Sequence, residues 1–218
     1  ESNRVLPRRQ MVLHSLAVAV AARIIAQQVS GIDPQTAFAA GLLHDIGKLA
    51  IDEVMPKSFE KIVEESHASH LPIIDIERKQ LGMDHTVIGK RLAEKWHLPE
   101  EIVSAIWLHH EDGLLMPEIP GARLAVCINA ADKVARSLKI GESGNDSPCE
   151  LAEDVICAFN ISRERASEMV SAISGEVAQR KQTLGLEGPP PRHSYINAMH
   201  ETAESFARLN SNLQQDNE

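Results

Sequence analysis

The sequence predicts an all-α fold, and three observations point that way. No segment shows the period-2 alternation of a half-buried strand. Aromatic residues make up only 3% of a 218-residue chain that is 43% hydrophobic. Ala, Val, Ile and Leu must therefore fill the core, which suits closely packed helices. Finally, helix-start and helix-stop residues punctuate the chain at helix-length intervals.

Taken in order, a first helix is expected from about Pro7 to Val29, with proline at its start and Gly31 just past its end. Asp33 caps and Pro34 opens a second helix, which should carry the pair His44-Asp45. Pro56 begins a third, Lys57 to about Ser69, and Pro72 starts a short one through Glu77 to Leu81. Asp84 caps the next, His85 to Trp96. Pro99-Glu100-Glu101 opens a helix ending near His110, with acids in its first turn as the macrodipole prefers. Residues 111–121 read as a loop, and a long helix follows from Ala122 to about Leu138. A polar loop at 141–148 and two helices, near Cys149 to Phe159 and Ser162 to Leu184, complete a compact unit expected to span residues 1–187.

Gly188-Pro189-Pro190-Pro191 is a stiff break, so residues 188–218 read as a hinge followed by a C-terminal extension helix. There Ile196, Met199, Ala203, Phe206, Asn210 and Leu213 recur at alternating spacings of three and four, an a/d stripe of the coiled-coil kind. The stripe predicts a homodimer through this helix. A last amphipathic helix folded onto its own domain is the other reading.

Formal net charge is -9, and no basic run exceeds two residues, as at Arg8-Arg9. A binder of duplex nucleic acid needs a Lys/Arg stripe to displace counterions, so that class is excluded as a partner. A small phosphorylated ligand or nucleotide, held by metal and local cations, is not. The apolar stretch Met11 to Ala26 carries His14, Ser15 and Arg23 and falls short of a span, so it reads as a buried helix and no membrane partner is expected. Cys127, Cys149 and Cys157 are odd in number and match no zinc spacing, which predicts buried thiols in a reducing cytoplasm. Because the chain opens with Glu1, a longer protein with a fused sensor or output domain is expected.

His44-Asp45 is the most informative pair. It is flanked by Leu42, Leu43, Ile46 and Leu49, and an imidazole and a carboxylate buried there must be paired, hydrogen-bonded or metal-bound. Other candidate ligands sit in helices far apart in sequence. His14 lies among Val12, Leu13, Leu16 and Ala17, His85 follows the cap Asp84, and His109-His110 ends the helix of Trp107. Asp132 lies in an otherwise apolar helix, with Arg136 one turn on as an alternative partner. One bound ion accounts for them all. Mixed imidazole and carboxylate ligands suit divalent Mn, Fe, Ni, Zn or Mg. Asp45, central in the order, is the natural bridge if two ions are held, and two ions can activate water and clamp a phosphoryl group. Lys48, one turn beyond His44, is placed to meet the phosphate. Asp45 and Lys48 are thus the candidate catalytic residues, whereas His67, His70, His97, His193 and His200 lie in polar or terminal contexts.

The order His14, His44-Asp45, His85, His109-His110, Asp132 resembles the HD superfamily of metal-dependent phosphohydrolases. The runs from Gly41 to Lys48, Met83 to Gly89 and Trp96 to Glu100, with His109-His110, look like the HDOD subfamily of bacterial signalling proteins. The ligand order is also similar to that of the HD-GYP cyclic di-GMP phosphodiesterases. The resemblance implies an HD-type helical domain with His14, His44, Asp45 and Asp132 on one metal. Asp45 would bridge to a second metal held by His85, His109 and His110, with Lys48 on substrate phosphate. It implies either a phosphohydrolase of a signalling protein or a non-catalytic regulatory module with a structural metal. The loop after His110 lacks the Gly-Tyr-Pro motif of the cyclic di-GMP enzymes, and Gln10 stands where some of them place a Glu.

Overall fold

The computed structural model describes residues 5–111 and 119–186, and these form helices with no strand. The elements are α1 (Arg8–Ala26), α2 (Pro34–Leu43), α3 (Ile46–Val54), α4 (Pro56–Ser69), α5 (Ile73–Leu81), α6 (His85–Lys95), α7 (Glu100–Leu108), α8 (Ala122–Ser137), α9 (Ala152–Cys157) and α10 (Arg163–Thr183). The loop tip after His110 and the proline hinge with its a/d stripe lie outside the described residues.

Capping chemistry sets most of these boundaries. The Asp33 side chain accepts the N–H of Thr36 ahead of Pro34, and Asp84 accepts from Thr86 and Val87 at the start of α6. Left-handed Gly82 closes α5. Helix α9 is shorter than expected, because it does not begin until Ala152, whereas α10 fills the span expected of it.

The centre of the domain is α1, whose residues from Ala17 to Ala22 are fully buried. By length and composition α1 is apolar enough to cross a membrane, yet 83% of its apolar window is covered by the protein. It packs against α2, α8 and α10, while α3 lies on α6, α6 on α7 and α7 on α8. Small residues let α1 and its neighbours approach closely, which explains a core with so few aromatic rings.

Two sequence readings need correction. The pair His44-Asp45 does not ride on one continuous helix. Helix α2 ends at Leu43 and α3 begins at Ile46, with Asp45 off the helical path at φ -99°, ψ 17°. The apolar run on both sides hid that break. Nor are all three thiols buried. Cys127 is, and burial pushes it up to about 12, but Cys149 is exposed and Cys157 half-buried. The short α9 leaves Cys149 in the preceding loop.

Gly47 fixes where α3 meets α6. A Cβ there would stand 1.9 Å from the carbonyl oxygen of His85, so only glycine permits this crossing. Gly141 plays the same part on the opposite side. At φ +69° its backbone rests on α1, where a Cβ would come within 2.3 Å of the His14 nitrogen. Glu142 N–H then donates to the Gln10 carbonyl at 3.1 Å, strapping the 141–148 loop over α1 beside His14.

Candidate metal centre

The break between α2 and α3 turns the Asp45 carboxylate so that its two oxygens face different neighbours. Oδ2 accepts from Lys48 Nζ at 2.7 Å and stands 3.3 Å from His44 Nε2. Oδ1 faces His85 Nε2 at 3.4 Å and His109 Nε2 at 3.7 Å. His14, from α1, brings its Nε2 within 2.9 Å of Asp132 Oδ1 on α8. His110 Nε2 lies 3.1 Å from His85 Nε2. The sequence-predicted residues thus come together at one place, from helices spread along most of the described chain.

The imidazoles are oriented by what lies behind them. His44 Nδ1 donates to the Gly41 carbonyl at 2.7 Å, and His109 Nδ1 to the Ile106 carbonyl at 2.8 Å. A carbonyl only accepts, so each Nδ1 carries the proton and each Nε2 presents a lone pair inward. Asn129 Nδ2 donates to the His109 carbonyl at 2.7 Å, tying the end of α7 to α8.

These inward atoms lack ordinary partners. While His14 Nε2 has Asp132 Oδ1 as its neighbour, Nε2 of His44 and His109, and Oδ1 of Asp45, are buried with no hydrogen bond. Left so, each costs about 1–3 kcal/mol. Lone-pair atoms that converge without a shared proton are the arrangement a cation satisfies. Two groups have donor atoms all within 4.8 Å of one another and could hold a metal ion, namely Asp45, His85, His109 and His110, and His14, His44 and Asp45. Asp45 belongs to both. Asp132 adjoins the second group through His14 and also stands 3.8 Å from Arg136, the alternative partner read from the sequence.

The electrostatics favour anionic carboxylates and neutral imidazoles, the protonation states a cation needs. Burial opposes ionisation of Asp45, but His44 and Lys48 hold its carboxyl well below the usual range. Asp132 is likewise held far down against burial by His14 and His44. Burial pulls His85 and His110 well below the ordinary imidazole value, with Lys48 adding to the effect at His85 and His109 at His110. His14 is lowered by burial against the pull of Asp132. His44 is the exception, since Asp45 outweighs burial and raises it.

Lys48 lies in the first turn of α3 but is not solvated there. It is 1% exposed, with its ammonium on Asp45. Of the histidines set aside on sequence grounds, His67, His70 and His97 are exposed, and His193 and His200 lie outside the described residues. Sequence reasoning missed Glu77, a fully buried carboxylate on α5 whose Oε2 meets His85 Nδ1 at 2.5 Å. Burial pushes Glu77 up to about 8. Nothing in the polar stretch Glu77-Arg78-Lys79-Gln80 marks it for the interior. Asn129 was more legible, because it lies one turn before Asp132 on the same helix.

His14 also edges an open cavity of about 580 Å³, whose wall includes Arg136, Lys139 and the loop from Gly141 to Cys149.

A family model for the HDOD domain matches residues 1–112, just over half of the chain. The chain belongs to the HDOD family. Among curated relatives of this HDOD protein, Ribonuclease Y of Desulfotalea psychrophila is 38% identical over 122 residues, 56% of this chain. The chain spans only 17% of that ribonuclease's length. An HDOD domain protein of unknown function from Geobacter sulfurreducens shares the fold with a TM-score of 0.60 at 21% identity, over 93% of this chain and 64% of that one. The MmoQ response regulator of Methylococcus capsulatus matches with a TM-score of 0.53 at 25% identity, over 72% of this chain and 58% of that one.

Proposed function

We propose that this HDOD domain is a metal-dependent phosphohydrolase of a bacterial signalling protein, acting on a phosphate ester or nucleotide. One observation carries the reading. The ligand atoms of His44, Asp45 and His109 converge in the buried interior with no hydrogen-bond partner, beside the His14–Asp132 pair. His14, His44, Asp45 and Asp132 would hold one divalent ion, and Asp45, His85, His109 and His110 a second. Bound there, such ions supply Lewis acidity and activate water for attack on phosphorus.

The chain's own residues do the rest. Carbonyls behind His44 and His109 keep their Nε2 atoms aimed inward. Lys48 neutralises part of Asp45 and adds positive charge for a phosphoryl oxygen to meet. The cavity beside His14 supplies an approach, with both cationic (Arg136, Lys139) and acidic (Glu142, Asp146) side chains on its wall. Likeness to Ribonuclease Y favours a phosphodiester within that class.

The test is hydrolysis of activated phosphodiesters, phosphomonoesters, cyclic dinucleotides and single-stranded RNA by Mn- or Fe-loaded protein. Turnover is expected, with Asp45→Ala losing metal and activity together. A fully metallated protein inert towards the whole panel sinks the hydrolase reading.

A second reading has its own support. Lys48 is sealed against Asp45 instead of facing an opening. A non-catalytic regulatory module, with metal as a staple between helices, would need nothing more. Full metal content without turnover is its signature.

A further inference from the structure

Glu77 is the one charged side chain of α5 that is buried, while Asp75, Arg78 and Lys79 on the same helix are exposed. A carboxylate is among the costliest groups to seal from water unless it is paired. Its hydrogen bonds come from one residue. Oε2 accepts the backbone N–H of His85 at 2.9 Å and meets the ring Nδ1 of the same residue at 2.5 Å. Oε1 has no hydrogen-bond partner. Helix capping does not account for this placement, because Asp84 already accepts the N–H groups of Thr86 and Val87 at the start of α6. What Glu77 adds is its grip on the ring.

That grip decides which nitrogen of His85 faces inward. With Nδ1–H given to Glu77, the Nε2 lone pair is left facing Asp45 Oδ1 and His110 Nε2. His44 and His109 are held from behind by neutral carbonyls, whereas His85 is held by Glu77, which, ionised once a cation sits in the centre, is a stronger acceptor for the ring proton.

We propose that Glu77 is the positioning residue for one half of the centre, fixing His85 as an Nε2 ligand and setting the affinity of the Asp45, His85, His109 and His110 group for its ion. The His14 and His44 half does not depend on it. This rests on the reading of the centre as a metal site. A carboxylate behind a ligating histidine fixes the tautomer and raises ligand basicity, and its loss costs about 10- to 100-fold in metal affinity.

The experiment is a calorimetric titration of the full chain with Co(II), with elemental analysis of the loaded protein, for the parent, Glu77→Gln and Asp84→Ala. Gln keeps the size and an oxygen for the His85 backbone N–H but removes the charge. The parent should take up two ions. Glu77→Gln should bind one of them about 10- to 100-fold more weakly and the other unchanged. Asp84→Ala should lower the melting temperature yet leave both affinities alone. Equal affinities in the parent and Glu77→Gln overturn the proposal while leaving the metal reading intact. Equal weakening by Glu77→Gln and Asp84→Ala overturns it in favour of simple packing. A parent that takes up no ion overturns the metal reading and this proposal together. A readout free of any variant is the ¹⁵N spectrum of the Zn-loaded chain. His85 must show a protonated Nδ1 and a metal-bound Nε2, and the reverse pattern overturns the assignment.

Discussion

Lys48 Nζ stands 2.7 Å from Oδ2 of Asp45, and both side chains are almost completely sealed from solvent. Buried together, the two charges depend on each other. Removing one member of a buried pair costs about 3–5 kcal/mol, more than replacing both with apolar groups. Asp45→Ala should therefore lower the melting temperature sharply as well as emptying the centre of metal. Adding Lys48→Met to it should restore much of the stability but none of the metal. Thermal melts of the single and double variants decide. A double variant as unstable as the single one would show that the pair is not the cause.

Stability of chelator-treated protein should peak near pH 6.5 and fall on both sides. His14, His85 and His110 are lowered from 6.5, so the unfolded chain binds more protons than the folded one as pH drops below that value. Their contribution is lost on acidification. His44 is raised from 6.5, and Glu77 lies at about 8 in the fold against 4.5 unfolded. The folded state holds these protons longer, so their contribution fades as pH rises towards 8. Glu77 opposes the three lowered histidines between 4.5 and 6.5, but three groups outweigh one. Denaturant midpoints across this range would reveal a monotonic trend if the assignment is wrong.

Gly47→Ala should be among the most damaging small substitutions in the chain. Its Cβ would meet backbone at His85, which cannot step aside as a side-chain tip could. Overpacking costs typically about 1–3 kcal/mol, and contact at 1.9 Å with backbone belongs at or above the top of that range. The strain would also separate His85 from Asp45, so metal affinity should fall along with the melting temperature. Wild-type affinity in Gly47→Ala would mean that α3 and α6 can move apart without disturbing the ligands.

Much of this arrangement was legible in the residues, for identifiable reasons. Asp33-Pro34, Asp84 and Pro99 act locally, so the helices they open lie where they predict. His14, His85 and Asp132 stood out because imidazoles and carboxylates amid apolar neighbours demand a partner. The interruption at His44-Asp45 was not legible, since it is enforced by tertiary packing around an unbroken apolar run. Glu77 was hidden for a related reason. Its polar neighbours describe an exposed helix, and only the docking of α5 beside His85 turns that one carboxylate inward. The depth of Lys48 likewise depends on which helices cover it.

The a/d stripe from Ile196 to Leu213 predicts a homodimer that depends on the segment beyond the prolines. Sedimentation of the chain with and without residues 192–218 is the check, and a dimer mass only for the longer form is expected. Equal masses would leave the stripe as packing within one chain.

The strap that Gly141 lays over His14, like the Gly47 crossing at His85, belongs to a site assembled from distant stretches of the chain. During vectorial synthesis on the ribosome, the nascent chain presents His14 first and Asp132 last, so the half built around His14 lacks its Asp132 neighbour until α8 has emerged. Ligands drawn from helices this far apart come together only as apolar burial packs those helices, so a divalent ion meets a receptacle whose shape the fold has set. Selection among metals would therefore rest on supply after release, with the rigid α3–α6 junction limiting how far the receptacle can adapt.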